Sequence, residues 1–187
     1  MFRYLVLTAV LLAAILGYAP ALGQPGAAPA ARLAIQRDAM ARLAFMDGRW
    51  EGAATIASGP EAAHELRQTE RVGPLLGGAI KLIEGRGLEA DGTLSFNAFA
   101  IVSFDVDRKA YTIRSYAQGY AGDYAFTPTD DGFSWEIPVG ASTIRFTARF
   151  RDGQWHEVGE RIVAGEEPQR FIEMVLTRTG DASWQAE

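Results

Sequence analysis

Two hydrophobic rhythms divide the chain. Between Arg32 and Phe45, Leu33, Met40, Leu43 and Ala44 recur at helical spacing while Arg37, Asp38 and Arg42 fall elsewhere, which predicts one helix. Asp47-Gly48 stops it. From Trp50 onward the texture changes to short runs cut by Gly, Pro and Asp, and ten strands are predicted: 50–57, 63–72, 79–87, 94–104, 111–118, 122–127, 133–138, 142–150, 155–163 and 170–178. Several alternate with period two. Ile144, Phe146, Ala148 and Phe150 share one face, and Arg145, Thr147, Arg149 and Arg151 share the other. Nearly every connection is short enough for a hairpin, so the strands form a meander. A meander hides its edge strands by closing. The expected fold is all-β: an antiparallel up-and-down barrel of about ten strands, with the N-terminal helix at one end.

The flanks change the picture at both ends. Met1-Phe2-Arg3 is a short basic start, Tyr4 to Tyr18 is apolar, and Ala21-Leu22-Gly23 offers small residues for cleavage before Gln24. The apolar core is shorter than the ~20 residues needed to span a bilayer. Residues 1–23 therefore read as a secretory signal peptide, 24–31 as a flexible Ala/Pro/Gly linker, 32–180 as the barrel domain and 181–187 as a loose tail. The expected location is periplasmic or secreted, with no stable membrane anchor after cleavage. Loss of residues 1–23 takes away Arg3 and no acidic residue, which moves the formal charge from −5 to −6. An acidic chain with only two lysines, Lys81 and Lys109, lacks the basic face that nucleic acid requires. Cysteine is absent, so neither a disulfide nor a thiolate metal site is available. The composition leaves the oligomeric state open.

Candidate chemistry is sparse. There is no nucleophile elbow, P-loop or His-Glu-x-x-His. Two histidines, His64 and His156, cannot build a three-histidine zinc site, and no metal or cofactor is expected. Aromatic residues are plentiful, and a ten-stranded barrel is wide enough to hold a ligand as well as side chains. Trp135, Tyr124, Phe146, Phe104 and Met174 are the candidate lining. The polar second strand offers His64, Gln68 and Glu70 around Leu66, with Glu65, Arg67, Thr69 and Arg71 on a solvated face. His156 and Glu160 share a face and could act as a general base and its orienting acid.

Whether His156 and Glu160 enter the lumen depends on the hairpin Arg151-Asp152-Gly153-Gln154. A two-residue loop sets Phe150 opposite Trp155 and turns both residues to water. A three-residue loop with a bulge sets Ala148 opposite His156 and turns both inward. The bulged register buries fewer obligate charges, because it leaves Glu157 and Arg161 outside. On that ground His156 and Glu160 are taken as lumen residues.

The stretch Gly48-Arg49-Trp50-Glu51-Gly52 resembles the Gly-x-Trp signature that opens calycin barrels. With Leu43 to Asp47 before it, and the closing segments Trp155 to Glu160 and Phe171 to Arg178, the chain is similar to a bacterial family of lipocalin-like barrels of unassigned function. The resemblance implies that Trp50 plugs one end and that Arg178 from the last strand covers its indole as a latch. A lesser resemblance is to nitrobindin-like haem barrels, which open Gly-x-Trp-x-Gly-x-Gly; here Ala54 stands in place of the last glycine. The function expected is an exported protein binding a small, largely apolar molecule, neutral or anionic, in its lumen. The alternatives are a cavity enzyme of isomerase or lyase type using His156 and Glu160, and a structural envelope protein with a filled barrel.

Overall fold

The computed structural model describes residues 28–57, 63–182 and 184. The signal peptide expected over 1–23 and the first half of the linker lie outside them. A helix, α1 (Pro29–Ala41), is followed by a single 3-10 turn (Ala44–Met46). Ten strands come next: β1 (Gly48–Ala57), β2 (Ala63–Leu75), β3 (Ile80–Leu88), β4 (Leu94–Asp105), β5 (Ala110–Ala117), β6 (Tyr120–Pro128), β7 (Gly132–Val139), β8 (Ser142–Arg151), β9 (Gln154–Val163) and β10 (Gln169–Gly180). The helix begins earlier than the helical spacing suggested. Pro29 occupies its first turn, where a missing N–H costs nothing.

Each strand pairs antiparallel with its sequence neighbours, and β10 returns to β1, so the sheet closes as a barrel. The β6–β7 seam is the shortest. Its register runs only from Pro128↔Phe133 to Phe126↔Trp135, which leaves the far halves of both strands unpaired with each other.

One end is plugged. α1 lies across it, held by a bidentate Arg32–Asp107 ion pair (2.6 and 2.7 Å) and by Tyr111 donating to the Ala39 carbonyl (2.7 Å). Beneath it Met40, Leu43, Met46, Trp50, Val72, Val102, Phe133, Trp155 and Leu176 are buried. Trp50 packs edge-on against Phe150 (5.4 Å) and Trp155 (5.9 Å), and its indole N–H donates to the Met46 carbonyl (2.9 Å). Lys81, inside this end, is paired with Asp47.

The latch differs from its expected form. Arg178 lies opposite Trp50 across β1 and β10. Its guanidinium spans Gly48 instead of the indole, donating to the Asp47 carbonyl (3.2 Å) and the Asp181 carboxylate (2.6 Å). The guanidinium stacked on an indole is that of Arg71, 3.9 Å from the Trp184 ring. Trp184 also meets Phe99 edge-on (6.4 Å) and rests over Gly73, where a Cβ would come within 2.9 Å of it. Within the segment 181–187, Trp184 therefore rests against the outer wall.

The β8–β9 register corrects the bulged reading. Asp152 (φ 52°) and Gly153 (φ 74°) are both left-handed, which makes a two-residue type I′ loop. Arg151 opposes Gln154, Phe150 opposes Trp155 and Arg149 opposes His156. Counting charges alone omitted Trp155. In the observed register its indole is 2 % exposed; in the bulged one it would face water. Burying an aromatic of this size contributes roughly 4–6 kcal/mol. Against that, burying a hydrogen-bonded carboxyl that can take up a proton costs about 1–3 kcal/mol. Gly159 fits the same register: it faces Phe146, and a Cβ there would lie 2.5–3.0 Å from Ile172, Phe171 and Phe146.

Candidate functional site

The inward positions change character halfway along the barrel. Toward the end away from α1, Ile56, Phe96, Ala98, Ser115, Tyr124, Trp135, Ile137, Ile144, Phe146 and Ile172 all face inward yet are only half-buried. They are more accessible than the residues beneath α1, so among the described residues the barrel is a cup with a packed floor and a solvent-accessible mouth half.

One wall of the cup is aromatic. Tyr124 lies 5.7 Å from Trp135, Trp135 stacks on Phe146 (4.7 Å, 14°), and Phe146 meets Phe171 edge-on (5.9 Å). This ladder crosses β6, β7, β8 and β10 and borders the unpaired part of the β6–β7 seam. The wall formed by β3 and β4 is low instead, with Gly85, Gly87, Ala98 and Ala100 facing in.

Between floor and mouth sits a polar belt. Gln68 (4 % exposed) and Glu70 (8 % exposed) point inward from β2, and Gln68 Nε2 donates to Glu70 Oε1 at 2.7 Å. Room for them comes from β3: a Cβ at Gly85 would lie 2.5 Å from the Glu70 carboxylate, and one at Gly87 3.1 Å from the Gln68 carbonyl oxygen. From β9, Glu157 points inward beside Met174 and accepts from the Trp155 indole at 3.0 Å. Burial pushes Glu70 up to about 8, opposed by the Gln68 hydrogen bond and assisted by the charges of Glu157 and Glu84. Burial likewise pushes Glu157 up to about 7, opposed by the Trp155 hydrogen bond.

Of the lining residues named from sequence, Trp135, Tyr124 and Phe146 come together in the mouth half. Met174 lies at the level of Glu157. Phe104 belongs to the floor, against Tyr111 (4.9 Å). His156 and Glu160 do not enter the cup. His156 is on the outer wall, 2.7 Å from Glu173, and Glu160 is opposite Arg145 on the same outer face. The acid–base pair sketched for a cavity enzyme is therefore outside the cavity, for the register reason given above. His64 stands at the mouth, bound to Glu89 (2.9 Å). Arg67 and Arg71, on the outer face of β2, pair with Glu51 and Glu84.

An imidazole-ligated haem does not fit this donor set. One histidine is outside, the other is tied to a carboxylate at the rim, and the belt is acidic where haem carries carboxylates. Among the described residues no group of three or more His, Asp or Glu is arranged to hold a metal ion.

Glu157 is the residue that reading the sequence missed. The signal was present: Asp152-Gly153 is the preferred I′ dipeptide, and taking it at face value turns Glu157 inward. Two hollows outside the lumen are lined by unrelated residues. One of about 830 Å³ lies between α1 and the β4–β5 turn, and one of about 300 Å³ lies beside Arg37 and Lys81.

The architecture so defined is a closed, ten-stranded antiparallel barrel, plugged at one end and open at the other. It is similar in fold to the crystal structure of Rv2717c from M. tuberculosis, with a TM-score of 0.57 and 14% sequence identity over 75% of this chain and 97% of that one. At that identity the likeness is one of fold. A scan against protein-family models gives no match, and neither does a sequence search of curated proteins.

Proposed function

We propose that this protein is an exported, lipocalin-like barrel that binds a small, largely apolar molecule in its lumen. The observation that carries the reading is the Tyr124–Trp135–Phe146–Phe171 ladder, whose rings line the open half of the cup and are only half-buried. A core residue of that size gains most from full burial. A stack left half-wet along a concave wall suits an apolar guest. Export rests on the signal-like segment 1–23 and a mature start near Gln24.

The test uses the chain from residue 24. Titration with N-phenyl-1-naphthylamine, a neutral aromatic probe, is expected to saturate near one equivalent, to quench tryptophan fluorescence and to be reversed by a lipid extract of the native host. Trp135→Ala is expected to weaken it at least about tenfold. A linear, non-saturating titration unaffected by Trp135→Ala overturns the reading.

A further inference from the structure

The polar belt is made of acceptors. Gln68 gives one of its two amide N–H groups to Glu70, and Trp155 gives its single indole N–H to Glu157. No described residue donates to the Gln68 carbonyl oxygen, to Glu70 Oε2 or to Glu157 Oε1. These oxygens are not sealed in. Among the described residues the one side-chain nitrogen or oxygen that is fully buried without a partner is Trp184 Nε1, on the outer wall. The three belt oxygens are not among such atoms, so each keeps some accessible surface. Gln68 and Glu70 point inward from β2 and are each more than nine-tenths buried.

Among the described residues no cation is paired with them. The buried Lys81 is committed to Asp47 at the plugged end, and Arg178 to the Asp47 carbonyl and Asp181. Arg161 follows the inward parity of β9 but lies at the mouth and is exposed. Two carboxyls within each other's field, with no positive partner, cost free energy when ionised; a bound cation removes that cost. Directly mouthward of the belt stands the Trp135–Phe146 stack, whose faces attract an ammonium group.

We propose that the molecule held in the lumen is an organic cation: an aromatic or lipophilic amine whose ammonium group is received by Gln68, Glu70 and Glu157 and whose apolar body lies along the aromatic ladder. This rests on the lumen-binding reading above and narrows it. It also reverses the neutral or anionic ligand expected from sequence, because a carboxylate guest would meet two acids and an amide oxygen.

The groups facing the belt fix the sign of its pH dependence. β2 supplies Glu70 and β9 supplies Glu157. Tyr124 of β6 faces the same lumen, and burial pushes the Tyr111 hydroxyl of β5 further above its already high ordinary value. Glu84 adds charge from the outer side of β3, and the rim carries His64 with Glu89 and Arg161. A primary alkylamine stays protonated up to about pH 9. Raising the pH from 6 to 8.5 ionises the belt while the guest stays charged, so amine binding tightens.

The experiment compares three guests on one ring, 2-(1-naphthyl)ethylamine, 2-(1-naphthyl)ethanol and 1-naphthylacetate, by calorimetric titration of the chain from residue 24. At pH 8.5 the amine is expected to bind at least about tenfold tighter than the alcohol, and the carboxylate weakest. Glu70→Gln and Glu157→Gln are expected each to shrink the amine's advantage about tenfold and to flatten its pH dependence, with the alcohol still binding saturably. The alcohol reports that each variant still has its cup, and flattening separates the belt from His64. Alcohol or carboxylate binding as tightly as the amine, or an advantage insensitive to both variants, overturns the cation assignment and leaves the lumen reading standing. Saturable binding of none of the three, nor of the neutral probe, overturns both.

Discussion

The two ends of the barrel are built from similar residues to opposite effect. At the plugged end Phe150 and Trp155 lie 4.8 Å apart, and Trp50 and Phe133 each meet both of them at 5.4–6.1 Å, with α1 across them. At the mouth Tyr124, Trp135, Phe146 and Phe171 form an equally close series that no helix among the described residues covers. The first group is sealed by Met40, Leu43 and Met46. The second has hairpin tips beside it among the described residues, including Tyr120, which is 81% exposed. An aromatic cluster thus stabilises where a cap excludes water, and offers a surface where none does.

The largest effect should come from exchanging these roles. Trp155→Ala is expected to cost about 3–5 kcal/mol in urea unfolding, as for other buried Trp truncations. Trp135→Ala, already half-wet, should cost about 1–2 kcal/mol. Equal losses would erase the distinction between a sealed end and an open one.

The belt between the two ends predicts an unusual pH profile. Glu70 and Glu157 have folded values of about 8 and about 7 against 4.5 for a free glutamate. Between 4.5 and 8 the native state therefore binds more protons than the unfolded chain, so stability falls as pH rises through that window. The contribution is complete below 4.5. Surface carboxylates such as Asp105, Asp107 and Glu173 are held low by hydrogen bonds to Arg108, Arg32 and His156 respectively. They act in the opposite sense and only below about 4.5. The melting temperature should accordingly peak near pH 5 and drop by several degrees by pH 8. Glu70→Gln combined with Glu157→Gln should flatten that slope in scanning calorimetry; a melting temperature rising from pH 5 to 8 would show that the belt is not dry.

The smallest effect belongs to the outer wall. His156→Ala should change stability by less than about 0.5 kcal/mol and leave probe binding untouched. Loss of binding in that variant would restore the bulged register and place His156 in the cup.

The strands were legible because each carries its own period-two signal and its own turn residues, and those are local. All ten predicted runs overlap the observed strands, with ends differing by a few residues. Helix α1 was legible for the same reason, and the polar face of β2 pointed to Gln68 and Glu70. Which face of β9 turns inward was not. Trp155, Glu157 and Arg161 alternate with His156, Val158 and Ile162, so neither face is cleanly apolar. One bulge reverses the choice. The Arg178 latch failed on similar grounds: the pairing with Trp50 is set by register, but the direction of a long, flexible guanidinium is decided by Gly48, Asp47 and Asp181, which meet it only in three dimensions.

By itself, then, the sequence determined the elements and their closure into a barrel. Alternation, turn chemistry and short connections leave a meander few other ways to hide its edges. Tertiary structure alone decided where the barrel is sealed and what its interior presents. Sealing depends on a helix meeting strand ends far along the chain. The acidic belt depends on glutamates from β2 and β9, 87 positions apart in the chain, facing one space that glycines on β3 keep open. No local pattern encodes that meeting, because its free energy comes from desolvation shared among residues that are neighbours only after the barrel has closed.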